Sequence, residues 1–384
     1  MVRSGLYEFG ARGLTWGRVL LVALLMSADA YGHLVLLLSA EALLGAFISY
    51  PQIKDLLLRQ CVHLREVVRT ALMFALFLPF SVLALGLYFS APAPVLAVLI
   101  GAFFFGIGQV FLYLLRIDNI TRYNKLKVLA AFISTAIFLV VLPFEPLLFP
   151  VVQVSYCAVL AIGFRADSRF SFSEIFEGHP WPTLVRTWGI FGTQSLVDNA
   201  QIHGSRLIVG ASLGLGQVKI FTMSFMVASG IIFFFAAVMI YAEKNLSKSI
   251  EVEQLPLRLR TSLRTLMILW GGLAIYGLVV LAVWRCTTKE IEALISNFLD
   301  PNLLAIFLAL FVIRGVILVI NPVIIALGRR IVSLLASIVC ASMLMVVTVI
   351  YWEELTLISI AWIMLSSALS QVIVLSLGLC GRRL

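Results

Sequence analysis

Gln194, Asp198, Gln201 and Ser205 recur at spacings of four, three and four residues inside one apolar segment, 187–211. On an α-helix that rhythm places them within roughly 60° of one another. Ser195, Asn199, His203 and Arg206 widen the polar arc to about half the circumference. Leu196, Val197, Ala200, Gly204 and Leu207 take the other side. The amides and hydroxyls of such an arc can bind a polar ligand, Asp and His can take up or release a proton, and Arg can grip an anion with paired donors. Lipid satisfies none of these groups, so the arc must face water, protein or ligand. The expectation is one wall of a cavity through a membrane, and therefore transport.

Other polar groups stand alone in apolar runs. Glu41 lies near the middle of a second candidate span, Arg18 within the first, Tyr156 in the sixth and Lys219 in the eighth. Arg314 is central in the tenth, and Asn321 follows seven residues later on nearly the same face. A charge at mid-bilayer costs roughly 2.5–3.5 kcal/mol on insertion scales. These charges must therefore pair or line a wet cavity. Two readings stay open: a buried ion pair of Glu41 or Asp198 with Arg206 or Arg314, or a functional lining. Arg18 and Lys219 can also snorkel to a membrane face. Pro322, beside Asn321, is read as a hinge and Pro150 as a static bend interrupting the sixth span. The five cysteines are scattered singly, with no metal-ligand or disulfide spacing. No catalytic constellation, metal site or cofactor is expected, so the chain is not read as an enzyme.

The elements that carry these residues follow from composition. Hydrophobic residues make up 62% and charged residues 12%. The expectation is an all-α polytopic membrane protein with spans near 5–27, 31–50, 68–90, 93–115, 128–144, 146–164, 187–211, 217–242, 262–284, 302–327, 331–351 and 355–379. Of the 28 Lys and Arg, 22 fall in alternate loops and termini, and only Arg285 and Lys289 fall in the opposite set. Basic loops mark the cytoplasmic side, so both termini are placed there and six hairpins point outward. The same rule accounts for the net charge of +9, so nucleic acid is not an expected partner. The domains expected are an N-terminal lobe, 1–165, a cytoplasmic linker, 166–186, and a C-terminal lobe, 187–384. A weak parallel repeat, residues 17–37 against 204–224, relates two six-helix lobes.

Two segments carry a family resemblance. AYGHLVLLLSAEALLG (30–45) resembles a Tyr-Gly turn opening the second span. SLVDNAQIHGSRLIVGASLGLGQVKIFTMSF (195–225) resembles a polar seventh span, short outer turn and eighth span. With twelve spans, two lobes and cytoplasmic termini, the chain looks like the polysaccharide-transport branch of the multidrug/oligosaccharidyl-lipid/polysaccharide flippase superfamily. Where that family often has an acid just before the basic residue, this chain has Ser205–Arg206. The resemblance implies flipping of undecaprenyl-pyrophosphate-linked oligosaccharide units across the bacterial inner membrane by alternating access. It implies a role in surface polysaccharide (O-antigen, lipopolysaccharide) biosynthesis beside other polysaccharide-assembly proteins. Arg206, Arg314 and Arg18 are the candidates for the pyrophosphate, and Gln194, Asn199, Gln201, His203, Asn321 and Tyr156 for pyrophosphate or sugar. Asp198 and Glu41 could carry a coupling proton or sodium ion. The alternatives are a cation-coupled multidrug exporter of the same superfamily and a membrane enzyme of polysaccharide assembly.

Overall fold

The structure is a computed structural model, and it describes residues 2–48, 81, 84–87, 92–118, 120–165, 193–231, 255–286, 299–326 and 329–380. Among these residues it is helical, without strands. The chain is an all-α multi-pass membrane protein. Eleven helices are named here: α1 (Val2–Leu25), α2 (Ala28–Ile48), α3 (Ala93–Asp118), α4 (Ile120–Val141), α5 (Phe149–Arg165), α6 (Ser205–Leu213), α7 (Leu215–Ser229), α8 (Leu255–Cys286), α9 (Pro301–Ala326), α10 (Arg330–Ile350) and α11 (Leu357–Cys380). Residues 81, 84–87 and 193–199 are also helical. Helix thus occurs within every one of the twelve expected spans. Among the described residues, five helical stretches are long and apolar enough to cross a membrane: Arg122–Val141, Pro146–Gly163, Pro301–Asn321, Ile331–Ile350 and Leu357–Leu379.

Helix ends follow local chemistry. Asp300 Oδ1 accepts from the backbone N–H groups of Asn302 (2.7 Å) and Leu303 (3.3 Å). With Pro301 in the first helical position, it gives α9 a capped start whose missing N–H costs nothing. Thr356 and Ser359 cap α11 reciprocally, each hydroxyl accepting from the other's backbone N–H. Glu145 caps the 3₁₀ turn Pro146–Leu148 that leads into α5. Gly214 joins α6 to α7 at φ 90°, a conformation that favours a residue without Cβ. These turns coincide with outer turns expected from the loop charges.

Two helices outrun their expected spans at the polar end. α4 begins at Ile120 instead of 128, and α8 at Leu255 instead of 262. Hydropathy marks the part of a helix that suits hydrocarbon, whereas backbone hydrogen bonding continues into the basic margin. There Lys127 donates to the Tyr123 hydroxyl at 3.2 Å and lies 5.4 Å from its ring. Pro150 does not interrupt a span. It sits in the first turn of α5, where its absent N–H is harmless. α9 runs as helix through Pro322.

The chain divides into two compact units, Met1–Gly204 and Ser205–Leu384. The expected linker, 166–186, and Pro79 lie outside the described residues. In the first unit α3 packs on α5, α1 on α4, α2 on α3 and α4 on α5. In the second, α9 and α10 pack on α11, α7 and α8 pack on α9, and α6 lies against α7 and α11. Large apolar side chains such as Phe132, Val140, Ile162, Ile275 and Leu278 are exposed. A lipid solvent accepts such faces, so helix exteriors need no polar cover.

Candidate functional site

The first unit buries a carboxylate. Glu41 projects from α2 at 2% exposure, and the side chain of Gln153 on α5 hydrogen-bonds it. Its Oε2 makes no hydrogen bond among the described residues. The charge acting on it comes from Arg18 of α1. That guanidinium is fixed on two sides: Nη1 donates to Ser134 Oγ of α4 at 3.2 Å, and Cζ lies 4.8 Å from the Phe138 ring centroid. Ser134 in turn donates to the Ala131 carbonyl at 3.1 Å, leaving its lone pairs to the arginine. Tyr156 of α5 also lies within electrostatic reach of Arg18. Four helices thus converge on one acid and one base.

A close helix approach makes room for this arrangement. A Cβ on Gly101 of α3 would stand 2.6 Å from Phe149 Cε2 and 3.2 Å from both Cγ and Cδ of Glu41. Only glycine lets the α3 backbone lie against the Glu41 stem.

The polar seventh span is not a uniform α-helix. Residues 193–199 are α-helical, Ala200–Gly204 form a π turn, and α6 follows at once. A π turn bonds i to i+5 and so inserts about one residue into the helical phase. The expected arc, drawn at 100° per residue from end to end, therefore holds only on each side of the turn. Gln194, Gln201 and Ser205 are buried, while Asp198, Asn199, His203 and Arg206 are half-buried. Asn199 spends one amide hydrogen on the Ser195 carbonyl at 2.8 Å. The π turn packs against α2, the helix that carries Glu41.

The second unit holds Arg206, Lys219, Arg314 and Asn321. The Arg206 guanidinium lies 5.4 Å from the Phe225 ring centroid. Phe225 itself packs on Phe307 at 5.2 Å and Phe311 at 5.4 Å, both of α9. The first α6 turn thus presents a cation backed by aromatic faces. Lys219 of α7 is only 6% exposed. Arg314 is half-buried on α9. Asn321 enters a neutral network: Ser333 Oγ donates to Asn321 Oδ1, Ser337 Oγ donates to the Ser333 carbonyl at 3.2 Å, and Gln371 Nε2 donates to Ser337 Oγ at 3.3 Å. It ties α9, α10 and α11 together.

The expected site residues are spread over both units. Arg18, Glu41 and Tyr156 meet in one cluster of the first unit, with Gln194, Asp198, Asn199, Gln201 and His203 on or beside the π turn of that unit. Arg206, Arg314 and Asn321 belong to the second. Sequence reasoning did not single out Ser134, Phe138, Gly101, Ser333 or Ser337. A serine or glycine in an apolar run carries no mark of the charge it will stand beside.

No protein-family model matches the sequence, and no curated protein does. Solved structures do match in fold. A MATE transporter in complex with MaL6 aligns with a TM-score of 0.66 at 15% identity, over 99% of this chain and 95% of that one. An outward-facing multidrug resistance MATE family transporter of the MOP superfamily aligns at 0.67 and 13% identity, over 99% and 93%. An inward-facing form of such a transporter aligns at 0.61 and 14% identity, over 98% and 93%. The chain therefore has the MATE-type transporter fold along nearly its whole length.

Proposed function

We propose that this chain is an alternating-access transporter that flips undecaprenyl-pyrophosphate-linked oligosaccharide units across the bacterial inner membrane during surface polysaccharide assembly. The observation that carries this reading is the interior of the second unit, where Arg206 lies over Phe225 and Lys219 is buried. Arginine binds phosphate oxygens in pairs, and an interior that already holds cations suits an anionic headgroup. Amides and aromatic faces suit the attached sugars. Arg206 and Arg314 are assigned to the pyrophosphate. Gln194, Asn199, Gln201, His203 and Asn321 are assigned to the polar headgroup, with Tyr156 available beside Arg18. Glu41 and Asp198 are the acids assigned to ion coupling. Flipping makes and breaks no covalent bond and needs only unequal affinity for the substrate in two arrangements of the protein.

The test is reconstitution with a fluorescent polyprenyl-pyrophosphate oligosaccharide and a leaflet-selective quencher. Wild type should move the lipid. Arg206→Ala and Arg314→Ala should abolish movement at normal protein level, and full activity in both variants overturns the assignment. A second reading, a cation-coupled multidrug exporter, is favoured by the buried carboxylate of Glu41 and by structural neighbours described as multidrug resistance transporters. It predicts that a strain lacking the protein becomes drug-susceptible while its surface polysaccharide stays intact.

A further inference from the structure

Resting on the assignment of Arg206 to an anionic headgroup, we infer that Phe225 is a positioning residue of that site. Its ring, fixed by Phe307 and Phe311, steadies the Arg206 guanidinium through a contact that takes none of the N–H donors and none of the charge that a phosphate needs. The guanidinium carbon lies 5.4 Å from the Phe225 ring centroid, within reach of the ring quadrupole. A carboxylate in that position would accept two N–H groups and neutralise the arginine. A ring has no formal charge and occupies no hydrogen-bond donor by attracting a cation to its face. The contact therefore holds the side chain and leaves its anion-binding chemistry as it was.

The ring is itself held from α9. Phe225 is 4% exposed, and Phe307 and Phe311 are fully buried. Phe307 meets Phe225 edge-on at 5.2 Å, Phe311 lies tilted to it at 5.4 Å, and Phe221 adds an edge contact to Phe307 at 5.1 Å. Edge-to-face is a favoured geometry for aromatic pairs, so moving Phe225 breaks favourable contacts. One residue before Phe225, Ser224 Oγ accepts from the Asp300 backbone N–H at 3.1 Å. Asp300 also caps α9, so this bond fixes the start of α9 against α7. Phe307 follows Asp300 by seven residues, and Arg314 follows Phe307 by seven more, on nearly the same face of the helix. The ring that steadies Arg206 and the helix that carries Arg314 are thereby kept in one register.

The experiment titrates inorganic pyrophosphate into the purified, detergent-solubilised protein by calorimetry. Phe225→Leu should weaken binding by about 2- to 30-fold, the range of a cation–π contact. Phe225→Tyr, which keeps a ring, should bind within about twofold of wild type. A second readout needs no ligand. In protein with isotope-labelled arginine, the Arg206 Nε–Hε resonance is identified by its loss in Arg206→Lys. It should shift when Phe225→Leu removes the ring current, and stay close to its wild-type position in Phe225→Tyr. If Phe225→Leu is not monodisperse, Phe225→Met takes its place, since methionine adapts to an irregular gap. An Arg206 resonance unmoved by loss of the ring overturns the inference. So does wild-type pyrophosphate affinity in the ringless variant, or a loss in Phe225→Tyr as large as in Phe225→Leu. A wild type that binds no pyrophosphate overturns the headgroup reading instead, and the resonance then decides the role of Phe225 by itself.

Discussion

Glu41 can stay inside an apolar helix bundle only because its neighbours leave space for it and answer its charge. Gly101 supplies the space. In Gly101→Ala the new methyl would meet Phe149 Cε2 at 2.6 Å and the Glu41 stem at 3.2 Å, and both belong to packed interior residues. Overpacking of this kind costs about 1–3 kcal/mol. Gly101→Ala should lower the unfolding temperature of the purified protein, and Glu41→Ala on that background should recover part of the loss by removing one of the two clashing stems. An unchanged unfolding temperature in Gly101→Ala would show that α3 can withdraw freely. The charges themselves were legible, because an acid or a base in a run of leucines stands out. Their pairing was not. Sequence reasoning offered Arg206 and Arg314 as partners for Glu41, and did not offer Arg18, whose charge acts on it within the first unit. Hydropathy says that a charge needs an answer, and helix packing decides which residue gives it.

At the scale of elements, the π turn Ala200–Gly204 fixes how the polar span is phased. Helical spacing on either side was legible from the alternation of amides with Leu and Val. The turn was not, because its one breaker, Gly204, is a lone glycine in a helical pattern, which helices tolerate. Its consequence is a lag of about 100°, the angle of one residue, in the phase of the residues that follow the turn. Deleting Ile202 should convert the π turn to α-helix and leave Arg206 at its angle, because the lost residue and the lost lag cancel. The expected outcome is transport retained at normal protein level, whereas an alanine inserted between Ser205 and Arg206 should turn Arg206 by about 100° and abolish transport. Transport that survives the insertion would mean that the phase of Arg206 does not matter. The turn at Gly214 is a simpler case. Its φ of 90° with ψ of 166° strains any residue with Cβ by about 1–3 kcal/mol. Gly214→Ala should therefore lower the unfolding temperature modestly, and an unaltered midpoint would show that the turn relaxes.

At the scale of the molecule, the span count was legible because two independent signals agree. Long apolar runs set the spans, and the sidedness of Lys and Arg sets their parity, since one missed helix would mix the two groups of loops. Helix occurs in all twelve expected places, although hydropathy missed the basic first turns of α4 and α8. Sidedness makes the final prediction. Ser27 and Glu353 lie exposed in turns assigned to the outside, and Lys125 lies exposed near the start of α4, assigned to the cytoplasm. Single cysteines at these positions, in a background with the five native cysteines replaced, should react differently with a membrane-impermeant maleimide added to cells with a permeabilised outer membrane. Ser27→Cys and Glu353→Cys should label in intact spheroplasts, and Lys125→Cys only after lysis. The reverse pattern would invert the orientation, and labelling of all three from outside would break the alternation. The sign follows from the charge count alone: retaining 22 of 28 basic side chains on the cytoplasmic side avoids moving them against the membrane potential, which costs about 2.3 kcal/mol per charge per 100 mV.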